Sequence, residues 1–330
     1  MNTELDVAIE AVRAASIVCR KVQSNLVSAE TLQKKDKSPV TVADFASQAV
    51  ICRYLEAAFP AVPVVGEEDS KELRGAGSGT LRASIVDHVR MVVEDEPNEA
   101  DVLAWIDRGG WTPDTSADRY WTLDPIDGTK GFLRGEQYAI ALGLIERGRV
   151  ILGVLGCPNL AADDGGDGGG VLMTAMRGRG ASLYRLDAPA VAPVAVHVSE
   201  VSDVSQARFC ESVESGHSDQ DASAAIARTL GIDTEPYRID SQCKYAAVAR
   251  GDASIYLRLP TRADYREKIW DHAAGAVIVE EAGGTVTDVH GNALDFSRGR
   301  ALENNQGIIA TNGRFHAQVV DAVRAALGDL

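Results

Sequence analysis

The chain has 330 residues, 45% of them hydrophobic and 25% charged, with a formal net charge of -15 at pH 7. This is the composition of a globular protein with a large core and about two domains, and its acidity argues against holding a nucleic-acid backbone by bulk attraction. An anionic small molecule stays open as a partner, provided that local cations reverse the sign at its site. The five cysteines (Cys19, Cys52, Cys157, Cys210, Cys243) are far apart and odd in number. They lack Cys-x-x-Cys spacing, which argues against a disulfide framework or a zinc site and suits a reducing compartment. Nothing reads as a signal peptide or a membrane span. The expected setting is cytoplasmic, although an organelle-resident form without its transit peptide would look the same.

In chain order, residues 4–26 carry Leu5, Ile9, Val12, Ile17 and Val22 at helical spacing. A polar stretch leads to a second amphipathic helix, predicted from Asp44 to Phe59 and stopped by Pro60. That start puts Asp44 in the first turn, where capping is the plainer role for a carboxylate. Pro63 to Asp69 reads as a short apolar strand ending in three acids. Helices are expected around 81–94 and 99–108.

The stretch from Trp121 to Phe132 then begins as a strand and ends in an Asp-Gly-Thr turn, where Gly128 can take backbone angles that other residues resist. Asp124 and Asp127 flank Pro125, and the turn can point both carboxylates into one small volume. Such a pair repels unless a cation lies between its members, and oxygen-only ligands suit magnesium. Thr129 adds a hydroxyl. A strand followed by a solvated turn explains the same residues without chemistry.

Two strands follow, 137–148 and 149–156, with a hairpin turn at Glu146 to Arg149. The Gly-rich 163–170 segment lacks the residues of a P-loop or a calcium loop and reads as a hairpin tip. Strands at 171–176, 181–186 and 194–198 precede a change of composition, which places a soft boundary near 190–200. Beyond it come a helix near 219–230, a strand to Tyr237, a helix from Asp240 through 249 and a strand from Ser254 to Leu259. Trp270 opens an apolar helix to Ala282, and strands at 284–288 and 308–310 and a helix at 313–328 complete the chain. Interleaved strands and helices predict an α/β or α+β layered fold.

Asp44, Glu67-Glu68, Asp124/Asp127 and Asp271 therefore stand out as four acidic sites, three of them at a strand end or a helix start. Transfer of a phosphoryl group to water needs such a set. Magnesium ions about 4 Å apart bind the phosphate oxygens and acidify a water, and a nearby carboxylate–hydroxyl pair takes its proton.

Gly66-Glu67-Glu68, Asp124-Pro125-Ile126-Asp127-Gly128-Thr129 and Trp270-Asp271-His272-Ala273-Ala274-Gly275 resemble the three signature motifs of the magnesium-dependent, lithium-sensitive inositol monophosphatase superfamily. Their order and spacing cover most of the chain. Residues 38–44, 129–132, 211–217, 240–245 and 256–260 narrow the resemblance to the 3'(2'),5'-bisphosphate nucleotidases of sulfur metabolism. Those enzymes hydrolyse the 3'-phosphate of adenosine 3',5'-bisphosphate. Many also act on 3'-phosphoadenylyl sulfate, and some on inositol bisphosphates.

The resemblance implies a five-layer αβαβα sandwich. Its N-terminal α+β domain, 1–195, would carry most metal ligands, and its C-terminal α/β domain, 196–330, the nucleotide contacts and the last ligand. It implies that Glu67, Asp124, Asp127, Asp271 and the carbonyl of Ile126 hold two or three magnesium ions. Asp44 and Thr129 would orient and deprotonate the attacking water, with Glu68 behind the ligands rather than among them. Gly128, Thr129, His217, Ser241, Lys244 and Arg258 would contact the substrate. Without the resemblance, Lys244 and Arg258 read as surface charges and His217 as a loop histidine. The 163–170 segment has no counterpart in the family motifs.

Lys244 and Arg258 supply fixed positive charge for a second phosphate, which favours the nucleotide over an inositol phosphate. A haloacid-dehalogenase-type phosphatase would need Asp-x-Asp rather than Asp-x-x-Asp spacing. A non-catalytic nucleotide sensor would be expected to lack an acid at one of these positions. A monomer is expected rather than an obligate oligomer.

Overall fold

The computed structural model describes residues 3–26, 38–75, 77–113, 118–162, 169–213, 220–260, 262 and 264–328. The first helix, α1 (Glu4–Leu26), buries Ala8, Ala11, Val12, Ala15, Val18, Cys19 and Val22. Ile17, expected on that stripe, is 55% exposed. The true stripe runs through alanines, whose weak hydrophobic signal hid its direction. The second helix, α2 (Ser38–Ala58), starts six residues before Asp44. Pro39 lies in its first turn, where a missing N–H costs little. Asp44 is therefore in the second turn, and first-turn capping is not its role.

Next come β1 (Val64–Gly66), α3 (Gly79–Arg90), α4 (Glu99–Arg108), β2 (Arg119–Asp127) and α5 (Thr129–Arg134). Helix α5 replaces the plain turn expected after Asp127. The hairpin strands β3 (Ala139–Glu146) and β4 (Arg149–Cys157) turn through Arg147 and Gly148, with φ of 50° and 73°. Strands β5 (Val171–Met176), β6 (Ala181–Arg185) and β7 (Val194–Val196) complete a seven-stranded sheet in sequence order. Of the predicted tip at 163–170, residues 163–168 lie outside the described residues.

The second sheet holds β8 (Phe209–Glu211), β9 (Tyr237–Arg238), β10 (Ile255–Arg258), β11 (Thr285–Thr287) and β12 (Ile308–Thr311), in the order β11-β12-β10-β8-β9. Three residues of β8 were too few to show an alternation in sequence. Four helices accompany this sheet: α6 (Gln220–Leu230), α7 (Cys243–Arg250), α8 (Ala273–Glu281) and α9 (His316–Leu327).

Three apolar cores define five layers. The first joins α1 and α2 to one face of the large sheet through Val12, Phe45, Leu123 and Leu142. The second fills the middle, where α7 and α8 lie between the sheets and Tyr245, Ala274 and Val277 meet Ala139, Ala141 and Val286. The third closes the far face of the small sheet under α6 and α9, with Ile226, Ile309 and Val319. The layering is αβαβα.

Close approach in the middle layer depends on missing side chains. A Cβ at Gly275 of α8 would lie 2.2 Å from the ring of Tyr245, which is fully buried. Gly275→Ala is therefore expected to destabilise the fold by about 1–3 kcal/mol. A urea titration reads this as a lowered midpoint; an unchanged midpoint would show that the ring can yield.

Candidate active site

A regular strand would send Asp124 and Asp127 to opposite faces, because side chains alternate. A bulge prevents this. Asp124 stands opposite Ala141 and Asp127 opposite Ala139, so the two intervening residues of β2 face one residue of β3. One extra residue reverses the parity and brings both carboxylates to the face of the middle layer. Pro125 fits such a position because a bulge tolerates a missing donor. The Ile126 N–H bonds Asp124 Oδ1 at 3.1 Å, and the Gln242 N–H bonds Asp127 Oδ2 at 2.6 Å. Gly128 then turns the chain with φ of 92°. A Cβ there would lie 2.8 Å from Cβ of Ser241, whose own φ is 66°.

The other acids arrive from three elements. Glu67 follows β1, which pairs in parallel with β2 and so ends beside it. Asp44 comes from α2, and Asp271 closes the 3-10 turn that leads into α8. Burial, followed by Glu67, Asp127, Asp271 and Asp44, holds the Asp124 carboxyl well above the usual carboxylate range. Burial with Glu68 and Glu67 does the same for Asp44, and burial with Asp127 and Glu67 for Asp271. Burial also raises Glu67, although Glu67 keeps access to water from the cavity. Glu68 is raised to about 7, by burial first and then by Glu67. These crowded acids are a site for positive charge, and an all-oxygen donor set fits a hard divalent cation.

Glu267, Asp271 and His272 place ligand atoms within 4.8 Å of one another. Two of the three are already engaged. Glu267 accepts from Arg258 Nε at 3.2 Å and contacts His272 Nε2 at 3.2 Å, while His272 Nδ1 meets the Tyr245 hydroxyl at 2.9 Å. Asp271 is the member that belongs with the other acids.

The cavity bounded by these groups has a volume of about 460 Å³. Glu67, Asp124, Ile126, Asp127, Gly128, Thr129 and Asp271 line it together with Ser241, Lys244 and Arg258. Asp44 and Glu68 do not line it, and His217 lies outside the described residues. Lys244, only 4% exposed, donates to Ser212 Oγ at 3.1 Å and sits 5.4 Å over the Tyr256 ring. Burial lowers its pKa even though Asp127 opposes that shift. Neither Lys244 nor Arg258 is a surface charge.

Two polar ties escaped the sequence reading. Gln242 donates from its side chain to the Trp270 carbonyl at 2.9 Å and accepts the Gly275 N–H at 3.2 Å. With its backbone on Asp127, it joins that carboxylate to the Asp271 segment. Arg300 donates to the carbonyl of Gly66 at 2.6 Å and of Trp111 at 3.2 Å, and lies 4.7 Å over the Trp270 ring. It thereby links the residues before Glu67 and before Asp271. Both look like ordinary polar residues in sequence, and only their long-range contacts reveal them.

The profile of the inositol monophosphatase family matches residues 1–327. The 3'(2'),5'-bisphosphate nucleotidase of Schizosaccharomyces pombe is 44% identical, over 98% of this chain and 96% of its own length. Its namesake in Dictyostelium discoideum is 42% identical over 97% of this chain and 96% of its own. Among solved structures, an inositol monophosphatase from Anabaena superposes with a TM-score of 0.62 at 22% identity, covering 97% of this chain and 95% of its own. An IMPase from Thermotoga maritima gives 0.63 at 21%, covering 98% and 97%. These two likenesses concern the fold. No helix among the described residues is long and apolar enough to cross a membrane.

Proposed function

The chain belongs to the inositol monophosphatase family, and within it we propose a magnesium-dependent 3'(2'),5'-bisphosphate nucleotidase that converts adenosine 3',5'-bisphosphate to AMP and phosphate. The sulfated form, 3'-phosphoadenylyl sulfate, is a second substrate on this reading. The observation that carries the proposal is one cavity lined by two unlike kinds of group. Carboxylates are the first kind, and the second is a buried lysine with a hydroxyl partner and an aromatic face. A molecule carrying two phosphates meets both requirements. The nucleotidases that share more than 40% of this sequence support the same substrate.

Magnesium bound by Glu67, Asp124, Asp127, Asp271 and the Ile126 carbonyl would neutralise the phosphate oxygens and acidify a water. On this reading Asp44, behind the cavity wall, and the Thr129 hydroxyl would orient that water and take its proton. Glu68 supports these acids from outside the cavity. Gly128 and Ser241 form the wall past which the substrate lies, Lys244 faces the 5'-phosphate, and Arg258 contributes from the edge where Glu267 holds it. Placement of His217 on the nucleotide is part of the same proposal and rests on sequence resemblance.

Phosphate release from adenosine 3',5'-bisphosphate and from inositol 1-phosphate, each with magnesium and with EDTA, tests the reading. Release from the nucleotide that stops in EDTA is expected. Preference for the inositol ester would overturn the substrate, and equal release in EDTA would overturn the metal.

A further inference from the structure

We propose that Gln48 is a positioning residue, whose side-chain amide fixes Asp44 at a set distance from Glu67. Gln48 lies four residues after Asp44, on the same face of α2, and is fully buried. Its Nε2 donates to the Glu68 carbonyl at 2.7 Å, and its Oε1 accepts the Glu68 N–H at 3.2 Å. The amide thus pairs with one residue's backbone as a neighbouring strand would. Nε2 also donates to the Ile106 carbonyl at 2.8 Å, at the end of α4.

Two glycines make room for this amide. A Cβ at Gly66 would lie 2.5 Å from Oε1, and one at Gly109 would lie 2.4 Å from Nε2. Gly66 and Gly109 are themselves joined, N–H to carbonyl, at 2.7 Å. The amide therefore sits in a slot between two backbones with no side chain to displace. The neighbouring Ser47 Oγ donates to the Pro125 carbonyl at 3.1 Å. That bond reaches β2, whereas Gln48 reaches the segment carrying Glu67 and Glu68.

The inference rests on the reading that these acids hold magnesium. Wild-type phosphate release is therefore titrated with magnesium first, and a metal-independent wild type would overturn that reading. Given a magnesium-dependent wild type, Gln48→Met keeps the length and removes all three bonds. It is expected to raise the magnesium half-saturation and lower kcat by about tenfold or more each, the usual loss when a group supporting metal ligands is removed. KM for the nucleotide should stay within about twofold, since no bond to substrate is lost. Gly109→Ala, at a position with a helical φ of -68° and outside the cavity lining, pushes the same amide and should repeat that pattern. If Gln48→Met does not fold, the Gly109→Ala titration decides. A lowered urea midpoint with unchanged magnesium half-saturation would make Gln48 a purely structural tie and overturn the proposal.

Discussion

Asp124→Asn is expected to abolish magnesium-dependent phosphate release and, in the same protein without metal, to raise stability at alkaline pH. The two effects have one origin. Asp124 is 3% exposed and faces Glu67, Asp127, Asp271 and Asp44. Asparagine keeps its shape and can still accept the Ile126 N–H, but it loses the charge that would bind the cation. Losing several kcal/mol of metal-dependent stabilisation lowers turnover by about 10³-fold.

The sign of the stability effect follows from proton binding. A carboxyl whose folded pKa is raised holds its proton more tightly when folded, so stability falls as pH climbs from its unfolded value through its folded one. For Glu68 that window runs from the ordinary 4.5 to about 7, and Asp124, raised well above its ordinary value by burial first and then by Glu67, acts in the same direction. Melting curves of metal-free protein from pH 5 to pH 8 should therefore show a falling midpoint, with a shallower fall for Asp124→Asn. Magnesium should flatten the wild-type curve, because bound cation replaces the missing protons. Residual activity within about tenfold of wild type would remove Asp124 from the ligand set.

The acids were legible in sequence because each lies in a short run whose local form is already set. Asp124 and Asp127 sit three residues apart around a proline, and Glu67 and Asp271 lie at a strand end and a helix start. Their parity was not legible. Three-residue spacing on a strand predicts opposite faces, and only the register against Ala139 and Ala141 shows the extra residue. Asp44 was found as a candidate but placed one turn too early, because the polar residues before it read as a loop, whereas the helix in fact opens at Ser38 with Pro39 in its first turn. The ties made by Gln48, Gln242 and Arg300 span 20, 28 and 234 residues of sequence. No local pattern marks such contacts. The buried state of Lys244 was likewise hidden, since a lysine on a short helix ordinarily projects into water. Strand β8 was missed because three residues carry no measurable period.

Lys244→Met should separate the two phosphates of the substrate. Lysine and methionine have similar length and volume, so the core around Tyr256 can keep its packing. The buried ammonium is charge-assisted by Ser212 and the Tyr256 face, and burial still lowers its pKa. A group held in that state binds an incoming anion strongly, because desolvation has already been met by the fold. Removing it should cost about 1.5–3 kcal/mol of binding to the 5'-phosphate, which raises KM for adenosine 3',5'-bisphosphate by roughly 10- to 100-fold. Adenosine 3'-monophosphate lacks that phosphate, and its KM should move by less than about twofold. Free of its buried charge, the variant should also melt no lower than wild type. Arg258 cannot replace the lost cation, because the Glu267 carboxylate at 3.2 Å already offsets its charge. An equal rise in KM for both substrates would place Lys244 on the reacting phosphate or the sugar, and the assignment of the acids to the metal and of Lys244 to the 5'-phosphate would fall with it.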